Sequence, residues 1–521
     1  MGRTRNLLCT RRAARAVGVA AAAVSLACVI AGGPALASTT VRKLTLVPDD
    51  PLATTTACKA LVQQQVANGS VNFNDGEVEP FVAVDPTNSQ RLIGAFQQDR
   101  WNDGGSNGLT TAVSSNGGKS WTLAAQQPLF STCAGAPAGS PGDEPRATDP
   151  WVSFSPNGNA YQVSDSFVQQ GPGFGGDSRI LVSKSADSGN HWATPVVLLD
   201  TPLVTALNDK ESVTADPTDS NRVYVVWDQL VSPSHQASID GFLHTFAFRG
   251  PTYFASTSDG GASWQQGHVI FDPGQNNQTI GNQIVVLPNG TLVDGMDLIS
   301  STASKSGRIP TTLAVALITS QDHGATWSSP TIVSPLTDAA VSTLNGQPVR
   351  TGDILPAWTV DPATGNLYVA WQDGSFASDG HAQIAFAQST DGGQHWSTPV
   401  RINKVSTTQA FTPQVFVSSN GTVGVTYYDM RNASATAPGQ TNYFLVTCPR
   451  SCTNPGNWTE TELDASTGFD MTTAPLTIEG YFTGDYEGLT AMSSTFMPFF
   501  ILARPEATHG PSDPFSITVN P

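Results

Sequence analysis

Ser185-Ala-Asp187-Ser-Gly189-Asn-His-Trp192 decides how this chain is read, because four near-copies of it lie along the sequence. They are Ser114-Ser-Asn116-Gly-Gly118-Lys-Ser-Trp121, Thr257-Ser-Asp259-Gly-Gly261-Ala-Ser-Trp264, Ser320-Gln-Asp322-His-Gly324-Ala-Thr-Trp327 and Ser389-Thr-Asp391-Gly-Gly393-Gln-His-Trp396. The pattern Ser/Thr-x-Asp-x-Gly-x-x-Trp, with Asn for Asp in the first copy, recurs every 63 to 72 residues. A motif this specific at near-constant spacing marks a repeat architecture. Asp suits capping of backbone N–H groups in a tight hairpin, Gly supplies positive φ, and Trp packs over the turn. These residues are expected to be structural.

The five turns resemble the Asp-box, or bacterial neuraminidase (BNR) repeat, of the sialidase superfamily, whose members are β-propellers. The resemblance implies an all-β fold of four-stranded blades and a ligand site on the propeller axis, away from the boxes. A second repeat precedes each box, a strand, a tight turn and another strand, as in Phe81-Val-Ala-Val-Asp-Pro-Thr-Asn-Ser-Gln-Arg-Leu-Ile-Gly-Ala-Phe96 and Trp358-Thr-Val-Asp-Pro-Ala-Thr-Gly-Asn-Leu-Tyr-Val-Ala-Trp371. Apolar alternation bounded by turn residues makes these β-hairpins. Seven copies can be traced, the last and weakest beginning at Gly488. Seven blades are therefore expected, with the six blades of sialidases as the alternative. The missing outer strand is assigned to Val41-Arg-Lys-Leu-Thr-Leu46 near the N-terminus. Residues 70–521 then form one propeller domain, since blades share a core and do not stand alone, and residues 38–69 form an N-terminal segment.

Residues 1–37 read as a secretory signal peptide. Five arginines precede an apolar run from Ala16 to Gly32, and Ala35-Leu-Ala37 offers a cleavage site. No other apolar run is long enough to span a membrane. Removing the leader takes five of the 25 basic residues and none of the 42 acidic ones, leaving a charge of about −22. That balance disfavours nucleic acid and anionic membranes as partners. Of the cysteines outside the leader, Cys448 and Cys452 suit a local loop staple, leaving Cys58 to pair with Cys133. Zinc is disfavoured because no histidine neighbours them in sequence.

Acidic residues cluster just ahead of the first strands: Asp75, Glu77 and Glu79; Asp143, Glu144 and Asp149; Asp209 and Glu211; Asp353; Asp485 and Glu487. Repeat geometry is expected to gather these stretches around the channel mouth. Crowded carboxylates raise one another's pKa, which suits general acid catalysis of glycoside cleavage. The competing structural reading is turn capping or Ca²⁺ binding. Sialidases carry an Arg in a Phe-Arg-Ile-Pro stretch at their first inner strand. Here Val78 stands in that position of Glu77-Val-Glu-Pro80, and Thr148, Ile354 and Phe411 in the later equivalents. The arginines left to rebuild a carboxylate clamp are Arg146, Arg350, Arg431 and Arg504. Tyr427, Tyr428 and Tyr486 are the nucleophile candidates. The long 228–251 loop, with His235, His244 and Arg249, is where a polysaccharide lyase would find its base.

The resulting expectation is a secreted, monomeric, sialidase-like glycoside hydrolase, exo-acting on an extracellular carbohydrate. Asp149, Glu211, Asp353 and Tyr428 are its catalytic candidates. Arg146, Arg350, Arg431, Arg504, Glu79 and Glu487 are its substrate-binding candidates. No catalytic metal is invoked, and structural Ca²⁺ is the only cofactor considered. The alternatives are a non-catalytic propeller that binds glycan or protein, and a propeller polysaccharide lyase.

Overall fold

The computed structural model describes residues 40–41, 43–52, 54–168, 176–232, 249–301, 311–464, 468–503 and 510–521. The leader, His235, His244 and Arg504 lie outside them. The described residues are all-β apart from one helix, Thr56–Ala67, and three short 3-10 turns. No helix among the described residues is long and apolar enough to cross a membrane.

Alternating apolar strands separated by Pro/Asn/Gly turns fold into antiparallel four-stranded meanders, one after another. Their first strands are Val78–Val84, Arg146–Phe154, Ala206–Ala215, Asn277–Val286, Ala357–Val360, Ala410–Val417 and Gly488–Met492. Each first strand lies against that of the next meander, and Gly488–Met492 returns to lie against Val78–Val84. The last meander is completed from the other end of the chain: Thr45 and Leu46 pair with Ser516 and Phe515. The first two meanders also join edge to edge through Ser106 and Ala147.

Apolar clusters fill the gaps between neighbouring meanders. Tyr161, Val163 and Val182 pack on Val213, Val225 and Trp227 between the second and third. Val82, Leu92 and Phe96 pack on Met497 and Phe499 between the first and last. Mid-strand glycines let the aromatics in: a Cβ on Gly94 would sit 2.3 Å from the Phe499 ring, and one on Gly295 2.2 Å from Trp358. Side chains at these positions would force the sheets apart.

The repeated turns join third to fourth strands, as between Thr252–Thr257 and Gln265–Phe271. Their hydroxyls accept from the glycine N–H, at 2.9 Å in Ser185–Gly189 and 3.0 Å in Ser389–Gly393. Asp187 Oδ1 accepts the His191 N–H at 2.9 Å, and Asp259 Oδ1 that of Ser263 at 2.9 Å. In the sixth meander a disulfide, Cys448–Cys452, tightens the loop at this place, and Trp458 Nε1 donates to the Cys452 carbonyl at 2.8 Å. The second disulfide, Cys58–Cys133, ties the helix to the first connection between meanders.

Two features have no counterpart in the repeat. One is the helix, capped by the Thr55 hydroxyl. The other is a small sheet in which Pro348–Arg350 runs parallel to Gly480–Phe482.

Candidate functional site

Five of the first strands carry the same irregularity. A bulge interrupts the register between Val78 and Phe81, Thr148 and Trp151, Asp209 and Ser212, Ile280 and Gln283, and Phe411 and Gln414. Each bulge holds a residue in the left-handed region: Glu79, Asp149 and Lys210 at φ 52°, Gly281 at 70° and Thr412 at 50°. Non-glycine residues rarely adopt this conformation, and bulges re-aim side chains. Glu79, Asp149 and Lys210 are thus structural equivalents on three consecutive strands.

They meet. Lys210 Nζ donates to Glu79 Oε1 at 3.1 Å, Asp149 Oδ1 at 2.9 Å and Asp485 Oδ2 at 2.8 Å. Arg350, from the small sheet, donates to both oxygens of Asp485, at 3.1 and 2.6 Å, and pairs with Glu479 at 3.2 Å. Phe482 lies between two guanidinium groups, 4.9 Å from Arg100 and 4.5 Å from Arg350. Glu79 also accepts from the Gln97 amide.

This shared environment splits the carboxylates. Burial, only partly offset by Lys210, raises Glu79 to about 7. Burial also raises Asp149 and Asp209. Asp485 is equally desolvated, but Arg350 and Lys210 outweigh that and hold it below the usual carboxylate range. Lys210 is buried too, yet Asp149, Asp485 and Glu79 keep it firmly protonated.

Beside the cluster lies a cavity lined in part by Lys210, Glu211, Asn282, Gln414, Asp485 and Tyr486. It is narrow: its water-accessible volume is ≈ 20 Å³, about what one water needs. Glu211 is 1% exposed, and neither of its carboxylate oxygens has a hydrogen-bond partner. Burial, with Asp149, Asp165 and Asp209 nearby, raises its pKa well above the usual carboxylate range. Tyr486 packs 5.3 Å from the Trp151 ring, with Lys210 Nζ 5.7 Å from its own ring. Burial and the surrounding acids keep its phenol protonated.

The expected site residues divide accordingly. Glu79, Asp149, Glu211 and Arg350 come together, and Lys210, Arg100 and Asp485 join them. Asp353 raises the buried carboxyl of Asp297 in the fourth meander, and its neighbour Gly352 packs against the Asp485 backbone. Tyr428 is fully buried in the apolar core, where its hydroxyl donates to Glu487 Oε1 at 2.7 Å and contacts the Ile501 carbonyl at 2.8 Å. That packing removes it from the role of nucleophile and places Glu487 outside the cavity as its core partner. Tyr427 bonds Glu460 within the sixth meander. Arg431 is also committed there, to Asp429 and to Glu460 at 2.6 Å. Arg146 is fully buried under the helix, donating to Asp103 at 2.8 Å and the Gly104 carbonyl at 2.6 Å, with its guanidinium 4.7 Å from Trp101. Neither arginine is free to clamp a substrate. Sequence reasoning missed Lys210, although its bracketing by Asp209 and Glu211, at the register of Glu79 and Asp149, was the available signal.

The acid at the end of the second strand of the fifth meander serves structure. Asp373 accepts from the Trp371 indole at 2.8 Å and the Ser375 N–H at 2.7 Å. Among the described residues, one group has the spacing of a metal site: Asp49, Asp75 and Glu77.

The middle of the chain is recognisable by family. Residues 252–462 match the family described as the BNR repeat-like domain. No curated protein matches the chain. Among solved structures it is similar to an α-L-arabinanase of Penicillium chrysogenum in complex with arabinobiose, at 13% identity over 74% of this chain and 94% of that one, TM-score 0.45. A Hadza microbial sialidase is 16% identical over 78% of this chain and 73% of that one, TM-score 0.44. A protein of unknown function from Dyadobacter fermentans is 15% identical over 72% and 94%, TM-score 0.44.

Proposed function

We propose that this is a secreted seven-bladed BNR-repeat propeller that hydrolyses glycosidic bonds of an extracellular carbohydrate. The blade count is supported by the cyclic order of first strands, and secretion by the two disulfides and the leader-like N-terminus.

The observation that carries the hydrolase reading is the split between Glu211 and Asp485, both of which line the cavity. Burial pushes the pKa of one carboxyl well up, and two cations hold that of the other down. Glycoside hydrolysis needs this pair: an acid to protonate the leaving oxygen and a carboxylate to act as nucleophile or base. Tyr486 shares the cavity and is the tyrosine placed to stand in as nucleophile if the chemistry is sialidase-like. A sialidase-like, exo-acting specificity further requires Lys210, Arg100 or Arg350 to exchange an internal carboxylate for that of the substrate.

A second reading has its own observation. The narrow cavity and the complete pairing of Lys210 suit a non-catalytic propeller that binds glycan or protein on its rim. Sugar release from sialosides, arabinan and uronate polysaccharides, followed by mass detection, separates the two. Hydrolysis abolished by both Glu211→Gln and Asp485→Asn establishes the hydrolase. Glycan binding without turnover by the folded protein establishes the binding propeller, and unsaturated products would reveal a lyase instead.

A further inference from the structure

The segment after the closing strand, the residues from Ser512 onward and the start of the first meander come together, and acids converge there. Asp49 follows the closing strand Thr45–Leu46. Asp75 and Glu77 lie between Asn72–Phe73 and Val78–Val84. One ligand atom from each of these three carboxylates lies within 4.8 Å of the other two. The C-terminal segment is stitched to the same place. The Glu77 N–H donates to the Ser512 carbonyl at 3.2 Å, and the Ser512 hydroxyl donates to the Glu77 carbonyl at 2.7 Å. Val47 N–H donates to the Pro514 carbonyl at 2.9 Å.

Glu77 is the telling member. It is 0% exposed, and while one of its oxygens accepts from Gln98, the other, Oε2, is buried without a hydrogen-bond partner. Leaving a buried carboxylate oxygen unsatisfied is costly, and such atoms call for a missing partner. Asp99, immediately behind, cannot supply one. It is itself an acceptor, taking the Asp75 N–H at 2.8 Å, the Leu52 N–H at 2.9 Å and the Asn107 amide at 3.0 Å. Asp513 adds a further negative charge near Glu77.

We propose that a calcium ion binds at this seam, held by the carboxylates of Asp49, Asp75 and Glu77. The donors are all hard carboxylate oxygens with no thiol or imidazole, the chemistry of Ca²⁺ or Mg²⁺ rather than of zinc. Calcium accepts irregular oxygen cages at about 2.3–2.6 Å, whereas magnesium demands a near-ideal octahedron and keeps its waters. Three acids delivered by two separate chain segments, with a fourth nearby, match the first requirement. The ion would complete Glu77 and offset the mutual repulsion of the acids. It would also pin the closing strand to the first meander, a role separate from the cavity at Lys210.

The test is calorimetric titration of the chelator-stripped protein with CaCl₂ and, separately, MgCl₂, alongside thermal unfolding in each. One equivalent of Ca²⁺ is expected to bind at least tenfold more tightly than Mg²⁺ and to raise Tm by about 2–5 °C at millimolar concentration. Glu77→Gln and Asp49→Asn should each remove the Tm shift, while Asp361→Asn, in a distant turn, should retain it. Absence of Ca²⁺ binding by the wild type would overturn the proposal, as would undiminished binding by Asp49→Asn. Because Asp49 is only half-buried, its variant decides the matter even where Glu77→Gln fails to fold. Retention of hydrolytic activity in a variant that no longer binds Ca²⁺ would separate this site from the proposed catalytic one.

Discussion

The aspartates of the repeated turns and the acids at the starts of the first strands are the same functional group under opposite treatment. In the turns the carboxylate sits in water and is fully engaged. Asp259 accepts from the Ser263 N–H and hydroxyl, and Asp322 likewise from Thr326, so both are held down at about 2. At the first strands burial dominates over the hydrogen bonds and ion pairs the acids receive. Glu79 rises to about 7, and Glu211 is raised well above the usual range. A satisfied, exposed acid makes a durable turn. A desolvated, under-satisfied one is a reservoir of protons beside a fixed cation, which is where acid–base chemistry is found.

The most disruptive way to break this contrast is to remove the cation. Lys210→Met leaves Glu79, Asp149 and Asp485 without their shared partner, and is expected to cost about 3–5 kcal/mol, read by denaturant unfolding. A variant as stable as wild type would show that the cluster is held by other means. Glu211→Gln should do the reverse: leave stability nearly unchanged, because neither carboxylate oxygen has a hydrogen-bond partner to lose, while lowering turnover by about 10²–10⁴. An unchanged rate would remove Glu211 from the chemistry. Tyr428→Phe, losing the bonds to Glu487 and the Ile501 carbonyl, should cost about 1–2 kcal/mol with turnover intact. A selective collapse of turnover would return that tyrosine to the site.

The subtlest test is the pH dependence of Tm. Glu79 binds its proton more tightly folded than unfolded, so its contribution falls as pH rises from its ordinary value of 4.5 through about 7. The turn aspartates behave oppositely. Their contribution is present above their ordinary 3.8 and is lost as pH falls toward about 2. Stability should therefore decline on both sides of a weakly acidic maximum, and Asp259→Ala should flatten only the acid side. A Tm that climbs steadily to pH 8 would contradict the assignment.

Local signals carried the sequence reading where the chemistry is local. Ser185, Asp187, Gly189 and His191 bond to one another, so the turn is written in one short stretch. The disulfides were legible because the cysteines were few. The site was only partly legible, because its members are brought together by strands hundreds of residues apart: Lys210 and Asp485 are neighbours only in three dimensions. Arg146 was misread because its partners, the helix residue Gln65 and Asp103, belong to an addition that no repeat announces. Tyr428 was misread because its strand position does not reveal which side chain in the next meander receives its hydroxyl.

The closing strand sets an order in time. Thr45 and Leu46 pair with Ser516 and Phe515, residues far later in the sequence. Every other meander can assemble from neighbours in sequence as the chain emerges. The final one must wait for the strand Asp513–Ser516, holding an early strand unpaired until all the other meanders have been made. Such distant pairing is slow to find, so the seam is both the last part of the molecule to form and the natural place for it to begin to open.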